Sequence, residues 1–253
     1  MRRKGLVKSL ELFVAFILIW TPYRYVTGML GWGVLTPESL PLLVESVVKL
    51  VVSFGLVYLF LRRFGDSWED VGISRRGIGE SISLAVLGSL ILLSVHLAMG
   101  GEPRLNLLGT FHLFLVVGPA EELVDRGYYF SMVASDLGGR WRFWRAASIS
   151  SLLFALSHLP IDLLVAKYGP WDVAMHLLSV FFAGMVLAGY YYFGWNITGP
   201  SILHAVMDVC GAYITFEGGA SQFMASGIGM AAIALIPMIW WFLRAKLIRT
   251  GSR

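Results

Sequence analysis

The chain has 253 residues, of which 57% are hydrophobic and only 14% charged, and its mean hydropathy is +0.72. Soluble domains average about 25% charged and 45–50% apolar residues, so this composition excludes a water-soluble globule. A net charge of +4 with no basic, aromatic-interleaved stretch argues against nucleic-acid binding, and the single cysteine, Cys210, rules out an internal disulfide and a multi-cysteine metal site.

A spanning helix needs about 20 mostly apolar residues, because its backbone must satisfy its own hydrogen bonds in hydrocarbon. Eight such stretches follow one another, at about 6–23, 41–61, 81–99, 106–134, 143–160, 172–193, 197–216 and 222–243. The first is preceded by Met1-Arg2-Arg3-Lys4 but followed by Thr21-Pro22-Tyr23-Arg24, which is no cleavage site, so it reads as an uncleaved anchor. With the N-terminus placed inside, alternate connections hold fifteen basic residues: Arg2, Arg3, Lys4 and Lys8; Arg62, Arg63, Arg75 and Arg76; Arg140, Arg142 and Arg145; Arg244, Lys246, Arg249 and Arg253. The other connections hold three, Arg24, Arg104 and Lys167. That asymmetry fits the positive-inside rule, and an odd number of spans would scramble it. The expectation is an all-α, polytopic membrane helix bundle of about eight transmembrane helices with both termini cytoplasmic. It forms a single membrane domain over 1–253, in the cell membrane or, in a eukaryotic host, the endoplasmic reticulum membrane.

Between the second and third spans, Trp68, Val71 and Ile73 stand among charges, as in a segment lying at the cytoplasmic interface. Within the second span Lys49 follows Glu45 by four residues, which suggests a local ion pair that lowers the lysine's cost in the membrane.

The fourth span carries Gly118-Pro119-Ala120-Glu121-Glu122-Leu123-Val124-Asp125-Arg126-Gly127. Each intramembrane charge costs about 2.5–3.5 kcal/mol on insertion scales, so such a cluster is a functional hypothesis by default. Glu122 and Arg126 are i,i+4 and stack, while Glu121 points about 100° away. Pro119 removes a backbone donor, and Gly118 and Gly127 thin the helix for close approach of neighbours. The fifth span ends with Phe154 and His158 one turn apart, and the seventh carries His204 and Asp208 at the same spacing. His96, His112 and His176 have no such helical partner and read as packing residues. Glu121, Glu122, Arg126, His158, His204 and Asp208 together are what hydrolysis needs: a general base for water and fixed donors for an oxyanion.

The spacings E-E-x-x-x-R (Glu121, Glu122, Arg126), F-x-x-x-H (Phe154, His158) and H-x-x-x-D (His204, Asp208) resemble the CAAX-protease and bacteriocin-processing family, which includes the type II CAAX prenyl endopeptidases. The resemblance covers a catalytic core of approximately 106–216. It implies a glutamate-dependent intramembrane endopeptidase with a cytoplasm-facing cavity, cutting a membrane-anchored peptide or protein, prenylated or not, near the cytoplasmic face. It further implies that Glu121 activates water with help from His158, that Glu122 and Arg126 order the base, and that His204 forms the oxyanion hole. Two positions depart from the family's common pattern. Asp208 stands where Asn is usual, and an ionised carboxylate cannot donate to an oxyanion, so it is protonated, orients His204 or binds a cation. Asp125 stands at a position that is often apolar, where it either acts on Glu121 as a like charge or points to the cytoplasmic rim.

Glu121, Glu122, His158, His204 and Asp208 could also ligate zinc, but the chain lacks H-E-x-x-H, and the resemblance implies that no cofactor is needed. Phe181, Phe182, Tyr190, Tyr191 and Tyr192 read as an interfacial belt or, alternatively, the lining of a lipid-accessible cleft. Two other functions compete: a non-catalytic scaffold or immunity protein of the same fold, and an ion-coupled transporter. The latter usually shows internal repeats, and none is visible here.

Overall fold

The computed structural model describes residues 4–30, 39–104 and 106–250, and of 39, 40 and 244–250 only the backbone. Arg2, Arg3 and Arg253 of the charge count lie outside the described residues, as do the side chains of Arg244, Lys246 and Arg249. Eight helices correspond to the eight apolar stretches. They are α1 (Gly5–Met29), α2 (Ser39–Phe64), α3 (Ile78–Ala98), α4 (Leu107–Asp136), α5 (Arg142–Leu164), α6 (Pro170–Gly194), α7 (Thr198–Tyr213) and α8 (Gly219–Thr250). The chain is a multi-pass, all-α membrane bundle, and seven of these helices are long and apolar enough to cross a bilayer. The exception is α7. Its 16 residues reach about 24 Å, short of the roughly 30 Å hydrocarbon core, and it is held among α3, α4 and α6 rather than spanning by itself.

Lipid-facing composition accounts for the outer surfaces, where Leu18, Leu115, Met238 and Phe242 stand exposed. The most enclosed of the seven spans is α4, with 56% of its apolar window buried against 28–39% in the others. The two largest of four apolar clusters among the described residues hold most of the bundle. Leu12, Phe16, Val57, Leu61, Tyr128 and Tyr129 join α1, α2 and α4, while Leu84, Leu92, Leu187, Leu203 and Ile233 join α3, α6, α7 and α8.

A two-stranded antiparallel ribbon is a departure from helix that the sequence does not announce. It pairs β1 (Glu102–Pro103) with β2 (Ile214–Thr215), and so ties the α3–α4 connection to the α7–α8 connection. The segment between α2 and α3 is more than interfacial. Val71 is fully buried, Gly72 O accepts from Ile197 N, and Asn196 Nδ2 donates to Ser74 O at 2.7 Å, docking the segment under the α6–α7 turn. Tyr190 and Tyr191 neither form a belt nor line a cleft. Both are wholly buried, with Tyr190 Oη donating to Ile233 O and Tyr191 Oη bonded to Ser131 Oγ at 2.7 Å. A buried tyrosine usually finds a partner for its hydroxyl, and each of these does.

Candidate active site on α4, α5 and α7

The middle of α4 is not a regular α-helix. Residues 113–117 and 123–130 take wider π turns on either side of the α turn 118–122 that bears the two glutamates. Pro119 supplies one cause. It has no N–H to give the carbonyl four residues back, and the chain widens so that Gly118 N–H bonds to Leu113 O instead. Glycine supplies the room. A Cβ on Gly118 would meet Ser201 O at 2.5 Å, and one on Gly127 would meet Val71 O at 2.9 Å. Backbone contact at Gly118 brings α7 against α4, which sets His204 beside the glutamates.

There His204 Nδ1 bonds to Glu122 Oε1 at 2.6 Å, and its Nε2 stands 3.5 Å from Glu121 Oε2 and 3.7 Å from Asp208 Oδ2. Glu122 is wholly buried and also pairs with Arg126, whose Nη1 is 3.0 Å from the same oxygen. The Arg126 guanidinium lies 4.7 Å from the centre of the Phe154 ring, a cation–π contact that fixes its plane. Phe154 in turn meets His204 edge-on at 5.9 Å and His158 at 4.9 Å, so one ring spaces both imidazoles. His158 Nδ1 donates to Phe154 O at 2.9 Å, which leaves Nε2 as its free acceptor. Glu121, Glu122, Arg126, His158, His204 and Asp208 thus gather in one cluster.

Asp125 does not point to a rim. It is buried and lies 3.8 Å from Arg126 Nη1, since the π turns rotate it inward. Lys49 does not pair with Glu45 either. Glu45 is taken by Arg24 of α1 at 2.6 Å, and Lys49 Nζ donates to Glu121 Oε1 at 2.5 Å, with its ammonium also 5.5 Å from the Trp20 ring. The i,i+4 spacing named a local partner, but two interhelical ones prevailed.

His176 is a second residue that spacing missed. Its Nδ1 bonds to Asp162 at 2.8 Å, and its ring packs edge-on against His158 at 5.6 Å. The signal was present as a carboxylate and two imidazoles near the α5–α6 turn, but on two helices. His96 keeps the packing role, donating to Leu92 O, whereas His112 bonds to Ser46 Oγ and ties α4 to α2.

Helix direction sets the cluster toward one pole of the bundle. His158 is near the C-terminus of α5, His176 near the N-terminus of α6 and Asp208 near the C-terminus of α7. These ends lie away from the basic connections. The cavity at the basic end, about 620 Å³, is lined by Lys4, Lys8, Asp66, Glu69, Arg75 and Arg76 among others and contains none of the site residues.

As for metal, no three His, Cys, Asp or Glu side chains converge in a metal-holding group among the described residues. One oxygen of Glu121 is moreover occupied by an ammonium.

No curated protein and no solved structure matches the chain. Residues 103–210 match the family model described as type II CAAX prenyl endopeptidase Rce1-like, and over this segment, which carries all three motifs, the chain is similar to that family of membrane proteases.

Proposed function

We propose that the chain is an intramembrane endopeptidase that hydrolyses a peptide bond of a membrane-associated polypeptide, with Glu121 as the group that activates water. The observation that carries this reading is the His204 bridge. One imidazole is bonded to Glu122 through Nδ1 and directs Nε2 at the space shared by Glu121 and Asp208. Water bound between Glu121 and His158 gives up a proton as its oxygen attacks the scissile carbonyl carbon. The carbonyl oxygen becomes an oxyanion, and the tetrahedral adduct collapses with the proton passed to the departing amine. Because His204 Nδ1 already donates to Glu122, only the imidazolium has a second N–H to offer the oxyanion. Asp208 then acts through His204 by facing Nε2, which gives the aspartate a use where the family's Asn is absent. Glu122 and Arg126 hold His204 and Phe154 in place, and Lys49 orients Glu121.

The mechanism asks nothing of a metal. A chelator is expected to leave activity of the purified protein unchanged, and loss restored by zinc would overturn that part.

The competing reading is a non-catalytic bundle in which the Lys49–Glu121 pair only ties α2 to α4. Incubating purified protein with C-terminal and juxtamembrane peptides, prenylated and not, and mapping cuts by mass spectrometry separates the two. Cleavage that is lost in Glu121→Gln and His158→Ala supports the protease, and cleavage unchanged in both sinks it.

A further inference from the structure

The depth of the cluster along each helix is consistent from element to element. At 1.5 Å per residue, His158 lies about 9 Å from the end of α5 at Leu164 but about 24 Å from Arg142. His176 lies about 9 Å inside α6 from Pro170, and Asp208 about 8 Å from Tyr213. Glu121 sits near the midpoint of α4. All the near ends belong to the pole of the bundle whose connections carry Arg104 and Lys167, with Arg24 buried in the last turns of α1, while Lys4, Lys8, Arg62, Arg63, Arg75, Arg76, Arg140, Arg142 and Arg145 mark the opposite pole.

Access follows the same axis. Toward the basic pole, every residue of α4 from Glu122 to Ala134 is buried, closed over by Leu12, Val57, Leu61 and Val71. Toward the other pole the cluster opens. Side-chain exposure rises from 0% at Glu122 to 18% at Glu121 and 35% at Asp208, and reaches 39% at His176. The rim there carries exposed aromatic rings, Trp171 and Phe111 among them, of the kind that settle at a membrane–water boundary.

Basic connections stay in the cytoplasm, so the sealed pole is cytoplasmic and the open one is not. We infer that the Glu121 site receives its substrate from the non-cytoplasmic side, and that the substrate class is the extended juxtamembrane segment of a polypeptide presented at the outer boundary of the bilayer. This rests on the protease reading for the chemistry but on helix direction and burial for the side. A lipidated C-terminus confined to the cytoplasmic leaflet would meet the closed pole, so a prenyl group is not what the site selects.

Single-cysteine labelling tests the side without requiring cleavage. In a Cys210→Ala background, Gly138→Cys marks the α4–α5 turn, Glu217→Cys the α7–α8 connection, and Asp208→Cys the site. A membrane-impermeant maleimide is applied to sealed right-side-out and inside-out vesicles. Glu217→Cys and Asp208→Cys are expected to label at least tenfold faster in right-side-out vesicles, and Gly138→Cys in inside-out ones. His176→Cys carries the same readout should Asp208→Cys fail to accumulate. Site labelling that follows Gly138→Cys, or labelling from neither side, overturns the inference. Because no proteolysis is read, sided labelling of a chain that cuts no peptide would overturn the protease alone, and cleavage in detergent with cytoplasmic labelling would overturn the sidedness alone.

Discussion

Two ionic regions stand apart among the described residues, one at the basic pole and one deeper around the middle of α4, and they differ in how their charges are met. The basic-pole cavity is lined by Lys4, Lys8, Arg75 and Arg76 and by Asp66, Glu69, Asp70 and Asp136. Those charges balance and are satisfied close at hand: Lys8 bonds Asp66 at 2.6 Å, Asp136 accepts from Gly5 N, and Asp70 accepts from Ser67. The α4 cluster holds Glu45, Glu121, Glu122, Asp125 and Asp208 against Arg24, Lys49 and Arg126. Carboxylates outnumber permanent cations by two, and His204, whose charge can come and go, can offset one of the two. The cavity at the basic pole is therefore the chemically quieter of the two regions. What separates the proposed site from the solvated end is an excess of carboxylates faced by a titratable group.

Substitutions can break that contrast, and the largest effect belongs to the proposed base. Glu121→Gln keeps shape and removes the proton acceptor, so peptide cleavage is expected to fall by about 10²–10⁴-fold while thermal unfolding in detergent still gives a cooperative transition. A full-rate variant would erase the distinction between the two poles. Arg126→Met strips Glu122 of its buried cation, and loss of one partner of such a pair costs about 3–5 kcal/mol, read as a lower unfolding temperature. Lys49→Met is expected to destabilise through the same cause, and combining it with Glu121→Gln to recover part of that loss. An additive double variant would mean that the two side chains do not act as a pair. Gly118→Ala pushes a methyl group against Ser201 O and should cost about 1–3 kcal/mol, with activity reduced as His204 is displaced. At the other pole, Glu69→Ala should change stability by less than about 0.5 kcal/mol and leave cleavage unaltered, as befits an exposed carboxylate.

Much of the fold was legible because bilayer physics writes itself into composition. The stretch read at 172–193 is α6 at Pro170–Gly194, and that at 143–160 is α5 at Arg142–Leu164. The cluster was legible because each of its motifs repeats at one helical turn, a spacing any helix preserves. Partners on other helices were not. Lys49 has an acid one turn away yet bonds to α4, and His176 meets Asp162 only because α5 and α6 run back to back. The π turns escaped as well, since a 3.6-residue period was assumed where Pro119 and its glycine neighbours widen it. Asp125 turned inward for that reason.

The contact at Gly118 has a mechanical consequence. Where α4 and α7 meet backbone to backbone, no side chain lies between them that could swing aside. The two helices move as one slab, and that slab bears Glu121, Glu122, His204 and Asp208. Any widening that admits a polypeptide would then fall to the facing wall, where α2 is held across the gap by the Lys49 ammonium and the His158 and His176 rings of α5 and α6 meet edge to face. In the proposed mechanism the stiff half carries Glu121 and His204, and His158 is the group that the facing wall contributes to the activation of water.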